Sequence, residues 1–161
     1  MRLLLPLSLV VLAVYLLAIP FNFWTPFQNR DVLIIYNAML FAVMALLVGA
    51  TPVRQEDAPA RFGAALGAGI VALAILALLV SLYAVSATAY RTLQGWLTPN
   101  RLTVIGWNVI NIGILGIFLY RVVRSGREKW VAAMHRAIGV GAMAYVGWTV
   151  FLLLALPLLV P

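Results

Sequence analysis

The sequence predicts an all-α integral membrane protein in which five transmembrane helices form a single bundle domain over residues 1–161. Only 9% of its 161 residues are charged and 65% are hydrophobic, whereas soluble domains carry about 25% charged residues. The few charges also divide the chain into five neutral windows of 27, 22, 29, 19 and 25 residues: 3–29, 32–53, 62–90, 102–120 and 137–161. Each window can hold the roughly 20 apolar residues that a helix needs to cross a bilayer.

Local start and stop signals bound the predicted helices. Asn29 or Asp31 can cap the second helix, and Thr98-Pro99 starts the fourth with a cap followed by proline at the first helical position. Pro157 is predicted to end the fifth helix, and Ala87–Trp96, the tail of the third window, to lie along the membrane interface. The predicted spans are about 3–19, 32–50, 62–86, 99–120 and 131–156.

The distribution of basic residues predicts the orientation. With the amino terminus in the cytoplasm and the carboxyl terminus outside, eight of the 11 Lys and Arg residues lie inside and three outside, as the positive-inside rule expects. The eight are Arg2, Arg54, Arg61, Arg121, Arg124, Arg127, Lys129 and Arg136, and the three are Arg30, Arg91 and Arg101. Topology thus accounts for the net charge of +7 without nucleic acid as a partner, and predicts contact with anionic lipids.

Few residues are available for chemistry. The chain has no cysteine, one histidine and four acids, and the acids, Asp31, Glu56, Asp57 and Glu128, all lie outside the predicted spans. Disulfides and cysteine-ligated metal clusters are therefore excluded, as are mechanisms that need a carboxylate at membrane depth. The sequence favours a protein without its own catalytic or metal site, although a partner subunit could complete an active site.

One string near the predicted outer surface indicates an anion site. Arg91, Trp96, Asn100 and Arg101 flank the start of the fourth helix, where free backbone amides and guanidinium groups together suit a phosphate or carboxylate. A phospholipid headgroup is the predicted ligand. The alternative is that Arg91 and Arg101 only extend to the membrane interface beside a capped helix.

The same string carries a resemblance. Leu97-Thr98-Pro99-Asn100-Arg101, followed by an apolar helix, resembles a segment of uncharacterised bacterial multi-pass membrane proteins that are classed only as a domain of unknown function. The similar stretch covers about Val80–Arg121, and Gly95-Trp96-Leu97 stands where those proteins have glycine directly before leucine. The resemblance implies a multi-pass protein of the bacterial cytoplasmic membrane and implies no reaction.

Besides Asn100 at the start of the fourth helix, three amides lie inside the predicted spans. Asn108 and Asn111 are three residues apart and therefore share a face of the fourth helix, and Asn37 on the second helix is their predicted partner. Buried amides in lipid commonly form hydrogen bonds across a helix interface, so we expect polar contacts between helices. The alternative is that they line a path for a ligand or ion.

The histidine, His135, lies among small residues at the start of the fifth helix. A lone imidazole can ligate the magnesium of a chlorophyll-type pigment or one axial position of a haem, so a tetrapyrrole is one predicted cofactor. The alternative is an interfacial imidazole that is hydrogen-bonded to a carbonyl or a lipid.

Two functions from different classes agree with these observations. Short loops and glycine-bearing helix faces favour a non-catalytic accessory subunit that packs against other integral membrane proteins in a larger complex, such as a respiratory or photosynthetic one. The arginine string favours a protein that binds or transports a lipid or another small amphiphile. A lipid-modifying enzyme has the least support, because the usual acid, base and nucleophile sets are missing.

Overall fold

The computed structural model describes residues 24–52, 63–95, 98–126 and 129–159, together with positions 7, 10, 11, 13, 14, 17 and 21. Its helices are α1 (Thr25–Gln28), α2 (Arg30–Ala50), α3 (Gly63–Leu93), α4 (Pro99–Ser125) and α5 (Trp130–Leu159). In this described part, the four long helices α2 to α5 are each long and apolar enough to cross a membrane. The predicted first span, 3–19, lies mostly outside the described residues.

Both predicted capping signals are confirmed. The side-chain oxygen of Asn29 accepts a hydrogen bond from the Asp31 amide at 2.9 Å, at the start of α2. The hydroxyl oxygen of Thr98 accepts one from the Arg101 amide at 3.4 Å, with Pro99 in the first turn of α4. These side chains satisfy amides that the helix itself leaves without partners.

The prediction that Ala87–Trp96 lies along the interface is wrong for the described residues. α3 continues to Leu93, Ala87 and Thr88 are buried, and the Thr88 hydroxyl donates to the Ala84 carbonyl at 2.8 Å. No glycine or proline occurs between Gly69 and Gly95 to interrupt the helix. A helix that stops within lipid leaves backbone groups without partners at a cost of several kcal/mol each.

Three other predicted boundaries also shift. α2 begins at Arg30, so Asp31 lies in its first turn rather than before the span. α4 continues past residue 120 to Ser125 and ends at Gly126, whose positive φ of 84° suits glycine. α5 continues through Pro157 to Leu159, because a proline in the last turn removes only one helical hydrogen bond.

α3 is the central helix of the described part. It packs against α2 and α4, α5 packs against α4, and the short α1 lies against α2 and α3. The buried residues of α3 recur every three or four positions, as one helix face requires: Ile70, Leu73, Ala74, Ala77, Val80, Ser81, Ala84, Ala87 and Thr88. We call the end of the bundle where α3 ends and α2 and α4 begin the arginine end.

Small residues bring α5 close to its neighbours. Gly106 of α4 faces the indole of Trp148, and Gly141 of α5 faces the side chain of Ile114, so that a Cβ at either glycine would overlap the facing side chain. These are the close helix approaches that small residues permit in membrane proteins.

Candidate functional site at the arginine end

Two arginines meet at the loop between α3 and α4. The Arg101 guanidinium donates through Nη1 to the backbone carbonyl of Arg91 at 2.9 Å. That carbonyl lies near the end of α3, where carbonyl groups lack helical partners. Gly95 leaves space for this contact, since a Cβ there would lie 3.1 Å from Arg101 Nη1. Arg101 therefore ties the two helix ends together and is fixed beside Arg91.

The Arg91 guanidinium has a hydrogen-bond donor that no described residue uses. Its side chain is half-buried, and its Nη1 is fully buried with no hydrogen-bond partner in the described part of the chain. A buried donor on a charged group is costly to leave without a partner. The natural complement is an anion, which can accept charge-assisted hydrogen bonds from a guanidinium.

A wedge-shaped groove separates α2 from α4 below this arginine pair. Both helices pack against α3, and the cavity between them has a volume of about 730 Å³. It is lined by Leu33, Ile34, Asn37, Ala38, Thr88, Arg91, Thr98, Asn100, Arg101 and Val104. The arginines therefore stand over a groove whose deeper walls are largely apolar.

The wedge is closed at depth and open at its side. Asn108 Nδ2 donates to Asn37 Oδ1 at 2.6 Å across its floor, and the rings of Phe41 and Trp107 meet at 5.5 Å. Asn108 lies seven residues after Arg101 on the same helix, or about 10 Å along its axis. Ile34, which lines the wedge, is 51% exposed. An apolar chain could thus enter from the side and extend about 10 Å below the arginines.

A second cavity of about 470 Å³, the vestibule, lies beside the wedge and shares Arg91 and Arg101 with it. Its walls combine aromatic rings, side-chain amides and guanidinium groups. The lining residues are Trp24, Phe27, Gln28, Tyr90, Arg91, Gln94, Gly95 and Arg101. One arginine pair thus serves two adjoining cavities of different chemistry.

The structure places Arg91, Asn100 and Arg101, three of the four residues predicted for the anion site, around these cavities. Trp96, the fourth, lies outside the described residues. Sequence reasoning missed Gln28 and Gln94 because nothing in their local pattern brings α1 to the end of α3. The available signal was the aromatic-rich stretch 21–27 before α2, FNFWTPF. Its Phe27 packs edge to face on Tyr90, with ring centroids 5.5 Å apart.

No family model, curated protein or solved structure matches the chain. The resemblance to bacterial multi-pass membrane proteins therefore rests on the Leu97–Arg101 string and stays a prediction.

The three predicted amides form polar contacts between helices. Asn37 and Asn108 join α2 to α4, as described above, and Asn111 accepts a hydrogen bond from the Tyr145 hydroxyl of α5 at 2.6 Å. Asn108 and Asn111 are buried. The partner that sequence reasoning missed is Tyr145, because its position depends on the rotation of α5 about its own axis.

His135 lies at the opposite end of the bundle. Its Nε2 is 2.9 Å from the Pro52 carbonyl oxygen, and since a carbonyl only accepts, this nitrogen is the donor. The contact matches the alternative in which the imidazole is bonded to a carbonyl, and it leaves Nδ1 for any tetrapyrrole metal. Within residues 24–52, 63–95, 98–126 and 129–159, no three His, Asp or Glu side chains form a group that could hold a metal ion.

Proposed function

We propose that this protein binds an anionic amphiphile of the phospholipid type, with the phosphate at Arg91 and Arg101 and an acyl chain in the wedge between α2 and α4. The observation that carries the proposal is the buried Nη1 of Arg91, a charged donor without a partner in the described residues. Arg91 lines a cavity whose other walls include Leu33, Ile34 and Val104. A charged group above an apolar groove matches the two parts of such a ligand.

The cavity volumes support the same proposal. Small-molecule sites usually measure about 300–1,000 Å³, and the wedge, at about 730 Å³, falls in that range. The wedge is lined by no acidic side chain among the described residues, so a bound phosphate would meet guanidinium groups without a competing carboxylate. Arg–phosphate pairs are often bidentate, which adds geometric selectivity to charge.

In this proposal the arginine end lies at the outer surface of a bacterial cytoplasmic membrane, and the chain crosses that membrane five times from a cytoplasmic amino terminus. The basic residues near the end of α4 and the start of α5 support that orientation. Arg121, Arg124, Lys129 and Arg136 all lie at that opposite end, where the positive-inside rule puts them in the cytoplasm. The ligand would then come from the outer leaflet.

Replacing Arg91 by glutamine should lower the retention of phosphatidylglycerol by about tenfold. A hydrogen bond to a charged group contributes about 1.5–3 kcal/mol, and about 1.4 kcal/mol corresponds to a factor of ten. Native mass spectrometry of the protein from phosphatidylglycerol nanodiscs measures the change. Arg124→Gln is the matched control, because Arg124 is exposed and donates to the Tyr120 hydroxyl at the opposite end. Equal retention by the Arg91→Gln variant and wild type would refute the site.

A second candidate function is that of an accessory subunit in a larger membrane complex, and α5 favours it. Only 11% of the apolar window of α5 is buried, against 22% for α2, 39% for α3 and 33% for α4. Its exposed face carries Met143 and Val146, which are 73% and 66% exposed. Beside them lie Gly139 and Gly147, where a Cβ would meet no atom of the described residues within 4 Å. Small residues on an open face suit contact with another transmembrane helix.

This second function predicts a partner at one face of α5. The chain lacks cysteine, so a single Met143→Cys variant can carry a thiol-linked photocrosslinker in native membranes. We expect one discrete adduct of higher mass at position 143. Val109→Cys, in the middle part of α4, is the control that should yield none, because the Val109 side chain is also exposed, at 52%. Equal yields at both positions would indicate random contact and count against a defined partner.

A further inference from the structure

The vestibule is the feature that a simple phospholipid site leaves unexplained. It adjoins the wedge through Arg91 and Arg101 and has its own volume of about 470 Å³. If the phosphate lies between the two arginines, the acyl chains of the lipid would lie in the wedge. The head group, on the other side of the phosphodiester, would lie in the vestibule. The residues that line the vestibule therefore indicate the chemistry of the head group.

Side-chain amides and a phenol offer neutral hydrogen bonds there. Gln94 Nε2 donates to the Tyr90 hydroxyl at 2.7 Å, which leaves the Gln94 carbonyl as an acceptor and the Tyr90 proton as a donor. Gln28 is exposed and lines the same cavity, so its side-chain amide offers a further donor and acceptor. Paired donors and acceptors of this kind suit hydroxyl groups, which both donate and accept.

Aromatic surface supplies the second element. Trp24 is 59% exposed and packs edge to face on Phe27 at a centroid distance of 5.6 Å, and both rings line the vestibule. An aromatic face with polar groups around it suits a ligand that has one apolar face and a polar edge. The carbon–hydrogen face of a polyol ring has that character.

Charge argues against a cationic head group. Aromatic rings can hold a quaternary ammonium by cation–π interaction, but Arg91 and Arg101 line the same cavity and would repel it. No carboxylate belongs to the described lining to offset that repulsion. Ethanolamine and choline are therefore poor matches, and a neutral hydroxylated group is the better one.

We propose that the ligand is a phosphodiester lipid with a polyhydroxylated head group, an inositol or a single sugar, whose hydroxyls bind Gln28, Tyr90 and Gln94. The assignment rests on the proposed function, because it takes the phosphate at the arginine pair as given. The volume of the vestibule, about 470 Å³, lies within the range of small-molecule sites. The vestibule then determines specificity, and the arginine pair and the wedge provide general affinity.

The test is competition between two lipids of equal charge and equal acyl chains, phosphatidylinositol and phosphatidylmethanol, in phosphatidylcholine nanodiscs followed by native mass spectrometry. We expect wild type to retain phosphatidylinositol about tenfold better, which corresponds to about 1.4 kcal/mol. The double variant Gln28→Ala/Gln94→Ala should bring the ratio near one while its retention of phosphatidylmethanol stays at the wild-type level. Arg124→Gln, at the opposite end of the bundle and outside both cavities, should leave the ratio unchanged.

The outcomes separate the two proposals. Equal retention of the two lipids by wild type would overturn the head-group assignment and leave the anionic site intact. A double variant that still prefers phosphatidylinositol would also overturn it, because the preference would then arise elsewhere. Retention of neither lipid above phosphatidylcholine would refute the anionic site itself.

Discussion

Replacing Gly106 by alanine should separate α5 from α4 and lower the stability of the protein by about 1–3 kcal/mol, the usual cost of overpacking. A Cβ at position 106 would overlap several atoms of the Trp148 indole. The indole is a rigid ring system, and its Nε1 is already buried without a partner in the described residues. The added methyl therefore has to move the helix rather than the end of a flexible side chain.

Gly113→Ala is the matched control on the same helix. A Cβ there would meet no atom within 4 Å in the part of the chain that the structure describes. The substitution should therefore be neutral or stabilise α4 by up to about 1 kcal/mol through helix propensity. Unfolding in mixed detergent micelles, followed by the fluorescence of the tryptophans, compares the two variants. Adding Trp148→Leu to Gly106→Ala should restore part of the loss, and equal stability of Gly106→Ala and Gly113→Ala would contradict the packing described for α5.

Removing the Tyr145 hydroxyl should cost about 1–2 kcal/mol. Tyr145→Phe deletes the donor to Asn111 Oδ1, which lies at 2.6 Å, and leaves that oxygen without a partner in a residue that is 0% exposed. A buried orphan acceptor costs about 1–3 kcal/mol, and hydrogen bonds between membrane helices measure up to about 2 kcal/mol. The ring itself is kept, so its contact with Trp107 is not removed.

A double-mutant cycle isolates this contact. In an Asn111→Leu background, Tyr145→Phe should cost little, because the acceptor is already gone. Tyr120→Phe provides the matched control, since that phenol is exposed and lies at the end of α4. If Tyr145→Phe is equally costly with and without Asn111, the hydrogen bond makes no measurable contribution to stability.

Local signals predicted the four long helices of the described part and their starts well. Charge-free windows indicated spans because burial of charge in lipid is prohibitive, and Asn29 and Thr98 indicated starts because capping depends on neighbouring residues alone. The fourth helix was predicted to end at residue 120, just before a charged residue, and this end was wrong. Arg121 and Arg124 lie within α4 without disturbing its backbone. The next conformational breaker, Gly126, ends that helix instead.

The candidate site was only partly visible in the sequence. Arg91 and Arg101 are separated by one short loop, so their proximity follows from the chain itself. The wedge depends on how α2 and α4 diverge across α3, and the vestibule depends on the placement of Gln28 beside Gln94, 66 residues later. Such contacts arise from tertiary packing, which periodicity and capping rules do not specify.

The lateral opening of the wedge at Ile34 determines how a guest would be supplied. It would arrive by two-dimensional diffusion within one leaflet, and its occupancy would follow the mole fraction of that lipid rather than a molar concentration in water. Washing with buffer would leave such a lipid ligand bound, whereas dilution with other lipids or with detergent would displace it.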